Sequence, residues 1–431
     1  MNLQPIKIKD ISKNQLQLIM KRSMQDISSI YEYVKNIVDD VKNQGDKAII
    51  KGLKSFGYKE SIDIEDIKVD KTDIEDAYTK VSKEVVNDIK AAANNIKKFH
   101  EAQLEKQMWC IEIIDGIIVG RITRAIENVG CYVPGGTAAY PSTVLMTVIP
   151  AKVAGVKNII LTTPPMKEMS INPLVLIAAD IAGVDKIFKV GGPWGIAGLA
   201  FGTETIPKVD KIVGPGNKYV TAAKMVVYGI VDIDSPAGPS ESLILADETG
   251  NPEWIAVDFL SQIEHDPDSS AILITTKFDL ANKVCNIINK RYETLSRKEI
   301  FRSSLFKYSH VLIADDIDEA INFINEYAPE HLQIVTKDVF VVLNKIKHAG
   351  SIFLGPYAPV PVGDYASGTN HVLPTAKGAR MFSGLSVDDF IKKPTFQYLS
   401  KKGLESLKDV VIRLAEQEGL PIHAESIKVR F

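Results

Sequence analysis

Apolar residues in the first hundred positions recur every three to four places: Ile30, Val34, Ile37, Val38 and Val41, then Val81, Val85, Val86 and Ile89. That is the period of a helix with one buried face. Residues 1–105 therefore read as a set of amphipathic helices whose simplest role is packing. From about residue 129 the rhythm changes to short apolar runs that alternate with helical stretches. Strands are expected at 131–133, 158–161, 186–190 and 211–213, with helices over 142–153, 173–182, from about 194, and from 217 to about 228. The same rhythm returns after Gly238, with strands expected at 242–245, 271–275, 311–314, 332–335 and 351–354. Strands alternating with helices imply parallel βαβ units. Two successive blocks of similar size predict an α/β protein with two similar Rossmann-like domains, although no residue-level repeat links them. The last fifty residues read as a helical tail, with one helix over 404–417 that ends near Gly419. The expected division is 1–105 for the helical region, 106–237 and 238–381 for the two α/β domains, and 382–431 for the tail.

Composition narrows the classes. With 45% apolar and 24% charged residues the chain has the make-up of a folded protein, which excludes global disorder. The 51 Lys and Arg nearly balance the 54 Asp and Glu, so no basic face for duplex nucleic acid is expected. Cys110, Cys131 and Cys285 are odd in number and widely spaced, which fits neither a disulfide framework nor a four-thiolate zinc site. No run approaches a membrane span, and the first residues lack the apolar core of a secretory signal. A soluble, cytoplasmic protein with no membrane or nucleic-acid partner is the expectation.

None of the 28 glycines begins the G-x-G-x-x-G dinucleotide fingerprint. The nearest, Gly214-Pro215-Gly216-Asn217, has Tyr219 in the third glycine position. It still follows an expected strand and opens an expected helix, where backbone N–H groups could meet an anion. Gly135-Gly136 and Gly191-Gly192 also follow strands, and that carboxyl edge is where open α/β sheets bind ligands. Among the histidines, Gln262 and His265 are three residues apart, which on a helix would give one face two corners of a metal site. Judged alone, the pair reads as structural. Glu330-His331 supplies two adjacent proton acceptors, one titrating near neutrality, or simply a solvated start of a strand. The segment 361–371 packs Asp364, Ser367, Asn370 and His371 among glycines without apolar periodicity, so it reads as a functional loop. His100, His310 and His348 read as structural or solvated. Glu418 and His423 lie near the C-terminus, where a lone histidine is usually surface.

Together these segments resemble the histidinol dehydrogenase family. The matching stretches are Tyr132-Val-Pro-Gly-Gly136, Gly214-Pro-Gly-Asn217, Pro239-Ser240-Glu241, Gln262-x-x-His265-Asp-Pro267, Ala328-Pro-Glu330-His331-Leu332, Gly363 through His371, and Glu418 with His423-Ala-Glu-Ser. They span residues 132 to 426 in order. The resemblance implies oxidation of L-histidinol through L-histidinaldehyde to L-histidine with two NAD, the last steps of histidine biosynthesis. It implies Gln262, His265, Asp364 and His423 as ligands of one zinc ion per subunit, a mixed N/O set within zinc's range. It implies Glu330 and His331 as the acid–base pair, Ser240, His371 and Glu418 as further substrate contacts beside the metal ligands and His331, and Tyr132 and Asn217 as NAD contacts. Trp194 stands where the family typically has a glutamine that contacts NAD. An indole could stack on the cofactor or fill its pocket, but it cannot accept a hydrogen bond. The resemblance also implies an intertwined homodimer, with the tail swapped so that His423 completes the partner's site. Two rivals use the same residues: a zinc hydrolase with Glu330 as general base, and a binding protein that holds a small molecule without turnover. Cys131, beside Tyr132, reads as a small buried hydrophobe, not a nucleophile.

Overall fold

In a computed structural model the chain is described over residues 2–22, 28–59, 61–135, 139–235, 238–264, 266–295 and 298–431. Most of its strands form two parallel sheets. The first runs, in spatial order, Lys186–Phe188, Asn158–Thr162, Asn128–Tyr132, Lys211–Val213 and Asp232–Ile233. The second runs Pro5–Lys7, His310–Ile313, Ser270–Thr275, Glu241–Ala246, His331–Val335 and Ser351–Leu354. Counted along the chain within each half, both read 3-2-1-4-5, and the second gains the N-terminal strand at its edge. The expected pair of similar Rossmann-like units is present, and topology carries the likeness that residue comparison did not. The central strands Glu241–Ala246, Ser270–Thr275 and His331–Val335 are buried along their whole length. Helices on both faces explain why these strands read as continuous apolar runs rather than alternating ones.

The first hundred residues hold the expected helices, but they serve three cores. Val34, Val38, Val41 and Ile49 pack with Ile160, Phe188 and Ile212 on one face of the first sheet. Val86, Ile89 and Ile96 pack on the other face, against Val144 and Val148 of helix Pro141–Ala154. Ile19 and Met20 join Leu243, Ile272 and Leu332 of the second sheet. Residues Pro5–Lys7 are strand rather than helix, with Pro5 opposite Val311 and Lys7 opposite Ile313. Three residues are too few to show a period of two.

The tail is not wholly helical. Ile391–Lys392 pairs with Arg124–Ala125, and Thr395–Leu399 pairs with Ile117–Ile122, which pairs in turn with Met108–Ile114. Helices Lys401–Gln417 and Pro421–Lys428 follow, broken at Gly419, whose φ of 72° ends the first. Among the described residues no helix is long and apolar enough to cross a membrane.

Candidate active site

A crevice of about 430 Å³ lies between the two sheets. The carboxyl edge of the first sheet supplies Tyr132, Pro134, Gly216, Asn217 and Asp234. The amino edge of the second supplies Ser240, Glu330 and His331, with Gln262, Asp364 and His371 from flanking elements.

On the first side, Tyr132 ends its strand and is buried, and its hydroxyl accepts the Gly192 N–H at 3.1 Å. Burial pushes the phenol up to about 12, so it stays protonated. Asn217 caps helix Lys218–Val227, its Oδ1 accepting from the N–H groups of Tyr219 and Val220 at 3.1 and 3.3 Å. The turn before it needs a glycine: Gly214 has φ of 120°, and a Cβ there would strike the Tyr132 carbonyl. A buried ion pair grips this turn. Asp234 Oδ2 accepts the Gly214 N–H at 2.6 Å, and Lys224 donates both to the Gly214 carbonyl at 3.0 Å and to Asp234. Trp194 does not line the crevice. Its indole turns toward the N-terminal helices, where Gly52 leaves it room and Phe56 meets it edge-on at 5.6 Å between centroids. Cys131 is fully buried, and burial pushes its thiol up to about 12, the state of an inert core residue.

On the second side Glu330 and His331 are about 5% and 4% exposed, so the solvated start of a strand does not describe them. Glu330 Oε2 accepts the Glu241 N–H at 2.8 Å. His331 Nδ1 lies 3.2 Å from the Glu241 carbonyl and 3.4 Å from Glu330 Oε2. Both are acceptors, so Nδ1 carries the proton and Nε2 is the basic nitrogen. Nε2 is buried, has no hydrogen-bond partner among the described residues, and faces Asp364 Oδ1 at 3.7 Å. Burial lowers this imidazole's pKa, but the Glu330 charge and the Asp364 contact outweigh it and raise the pKa to about 10. His371 behaves differently: burial lowers its pKa more than Asp364 raises it. Its Nδ1 donates to the Asp364 carbonyl at 2.9 Å, which leaves Nε2 to accept from the Thr143 hydroxyl at 3.3 Å.

Asp364 sits on the short helix Val360–Tyr365 and not in a plain loop, because Pro361 pre-sets the first turn. Gln262 lies in the last turn of helix Pro252–Ile263 and is about 2% exposed. The helix ends at Ile263, and His265 lies outside the described residues. Among those described, no group of three or more His, Cys, Asp and Glu could hold a metal ion. Of the four zinc ligands that the resemblance implies, Gln262 and Asp364 line the crevice together, a carboxamide and a carboxylate within zinc's donor range. Glu418 and His423 are exposed on the tail and do not line their own chain's crevice. Two residues absent from the sequence-based candidates emerge behind the site, Arg22 and Glu241. Glu241 sat inside the matching stretch Pro239-Ser240-Glu241, whereas Arg22 gave no signal.

These features define a parallel α/β protein of two Rossmann-like sheets with a buried carboxylate–imidazole pair in the crevice between them. The family model for histidinol dehydrogenase matches residues 20–431. A histidinol dehydrogenase of Methanocaldococcus jannaschii is 53% identical over 424 residues, covering 98% of both chains. One from Clostridium acetobutylicum is 52% identical over 415 residues, covering 96% of this chain and 95% of its own. The crystal structure of histidinol dehydrogenase from Elizabethkingia anophelis superposes with a TM-score of 0.93 at 42% identity, covering 100% of this chain and 98% of that one. The chain belongs to the histidinol dehydrogenase family, a family of NAD-linked oxidoreductases. Membership sets aside the hydrolase and the binding protein.

Proposed function

We propose that this chain oxidises L-histidinol through L-histidinaldehyde to L-histidine, reducing two NAD, as the last steps of histidine biosynthesis. The observation that carries the reading is the buried Glu330–His331 pair in the crevice wall, whose one nitrogen without a hydrogen bond faces Asp364. In the first step His331 Nε2 takes the alcohol proton as a hydride leaves the carbon. NAD, held at Tyr132 and Asn217, supplies the hydride acceptor in both steps. In the second step Glu330 takes a proton from the water that adds to the aldehyde, and the hydrated carbon gives up the second hydride. Oε2 of Glu330 is tied to the Glu241 N–H, which leaves Oε1 for that water. An imidazole with a pKa of about 10 holds its proton at neutral pH. His331 becomes a base when positive charge in the site offsets the Glu330 and Asp364 carboxylates. Zinc, when bound, supplies that positive charge and orients the substrate's imidazole and amine. Its ligands are Gln262, His265 and Asp364 of one subunit and His423 of the other, with Ser240, His371 and Glu418 as further substrate contacts.

The swapped tail is supported by exposed apolar surface. Met108, Trp109, Ile111 and Ile113 on the outer strand, and Val410, Leu414, Ile422 and Val429 on the terminal helices, are all exposed in the single chain. A second copy that covers these faces would bring Glu418 and His423 to its partner's crevice. The same reading divides the chain into an NAD half at 106–237, a zinc and proton-transfer half at 238–381, and the swapped tail at 382–431.

The test is to measure the two half-reactions separately. Glu330→Gln should slow aldehyde oxidation by about a hundredfold or more while alcohol oxidation suffers less. His331→Asn should damage the first proton transfer. Equal slowing of both half-reactions by both substitutions would overturn the division of roles.

A further inference from the structure

Arg22 and Glu241 form a charged pair that none of the steps above uses. Arg22 Nη1 donates to Glu241 Oε1 at 2.5 Å, and both side chains are about 3% exposed. The other terminal nitrogen of the guanidinium donates to the Tyr327 carbonyl, and the group lies 3.5 Å from the centre of the Tyr327 ring. Tyr327 ends helix Ile317–Tyr327, and Ala328 turns the chain at φ of 50° into Pro329, Glu330 and His331. Arg22 therefore holds the start of the segment that carries the acid–base pair, and through Glu241 it reaches the end.

Glu241 is the hub. Its Oε1 accepts the Glu330 N–H and the Ala376 N–H, each at 3.2 Å. Its own N–H donates to Glu330 Oε2, and its carbonyl accepts from His331 Nδ1. One residue thus fixes which Glu330 oxygen is engaged and which His331 nitrogen carries the proton. Arg22 also sits at φ of 58° and ψ of −154°, a region that side chains other than glycine avoid. Such a conformation persists where surrounding contacts over-determine it, and here the contacts are those to Glu241 and Tyr327. A buried ion pair adds little stability over an apolar replacement of the same shape, so stability alone does not account for this one.

We propose that Arg22 and Glu241 are positioning residues for the acid–base pair: the Arg22–Glu241 clasp holds Glu330 and His331 in the orientation that proton transfer requires. The inference rests on the reading that Glu330 and His331 move protons.

The test uses full-length, zinc-loaded protein and both half-reactions. Arg22→Ala and Glu241→Gln should lower kcat for aldehyde oxidation by about thirtyfold or more, with the KM for substrate within about threefold. Guanidinium ions should restore part of the Arg22→Ala rate, and Arg22→Lys should retain part of it. The double variant should lose no more than the worse single one, because the two residues act as a unit. A purely structural role would lower the melting temperature but leave kcat per folded subunit unchanged and insensitive to guanidinium. If Arg22→Ala does not fold, Arg22→Lys and Glu241→Gln carry the same comparison of kcat with KM. Glu330→Gln is measured in parallel. Wild-type turnover in that variant overturns the acid–base reading and this inference with it. Inactive Glu330→Gln beside folded, fully active Arg22 and Glu241 variants overturns the inference alone.

Discussion

The two sheets share one strand order, yet they meet the crevice with opposite edges. The first presents its carboxyl edge, where the strand order reverses between Asn128–Tyr132 and Lys211–Val213 and a glycine turn opens a helix. This is the usual place for a ligand on such a sheet. The second presents its amino edge, where Glu241 and His331 begin neighbouring central strands in parallel register. Side chains at that edge start buried strands, so their polar groups must find partners, and they find each other. The same topology thus yields a glycine turn that opens a helix on one side and a packed carboxylate–imidazole cluster on the other. Each side is held by a buried ion pair from outside the loop it serves: Lys224–Asp234 around Gly214, and Arg22–Glu241 around Glu330.

Three outcomes would break or sharpen this division. The largest is metal removal, which acts only on the second half. Chelation should abolish turnover, and zinc should restore it. Full activity in protein shown to be metal-free by elemental analysis would contradict the ligand assignment. The next concerns who completes that half. His265→Asn and His423→Asn, each inactive alone, are unfolded, mixed and refolded together. With swapped tails about half the dimers are mixed and each holds one intact site, so activity returns to about a quarter of wild type. If the tail served its own chain, the mixture would stay dead. The smallest effect tests the first half. Lys224→Met leaves the Asp234 carboxylate buried without its cation, at a cost of about 3–5 kcal/mol in stability. It should raise the KM for NAD by about tenfold through the displaced Gly214 turn, with the relative rates of the two half-reactions unchanged. A change confined to the aldehyde step would mean that the halves are not separate in function.

What could be read from the sequence follows the same division. The glycine turns and the helix start at Asn217 were legible because the carboxyl-edge rule applies to the first sheet. Glu330-His331 stood out only as an adjacent pair, because nothing in local sequence distinguishes an amino-edge site from a solvated strand start. Arg22 was invisible. Its partner lies 219 positions away, and local periodicity says nothing about a contact at that range. Trp194 became a candidate only through the resemblance, and its indole packs beside Gly52 and Phe56, outside the crevice lining. The strand Thr395–Leu399 is not legible because five residues pairing with a hairpin near residue 119 leave only a weak alternation in the local sequence.

The most direct measurement is the stoichiometry of complete turnover. Purified protein with zinc, limiting L-histidinol and excess NAD should form two NADH for each histidinol consumed, with L-histidine as the product. One NADH with aldehyde accumulating, or no NADH at all, would contradict a crevice in which one half accepts hydride twice while Glu330 and His331 move the protons.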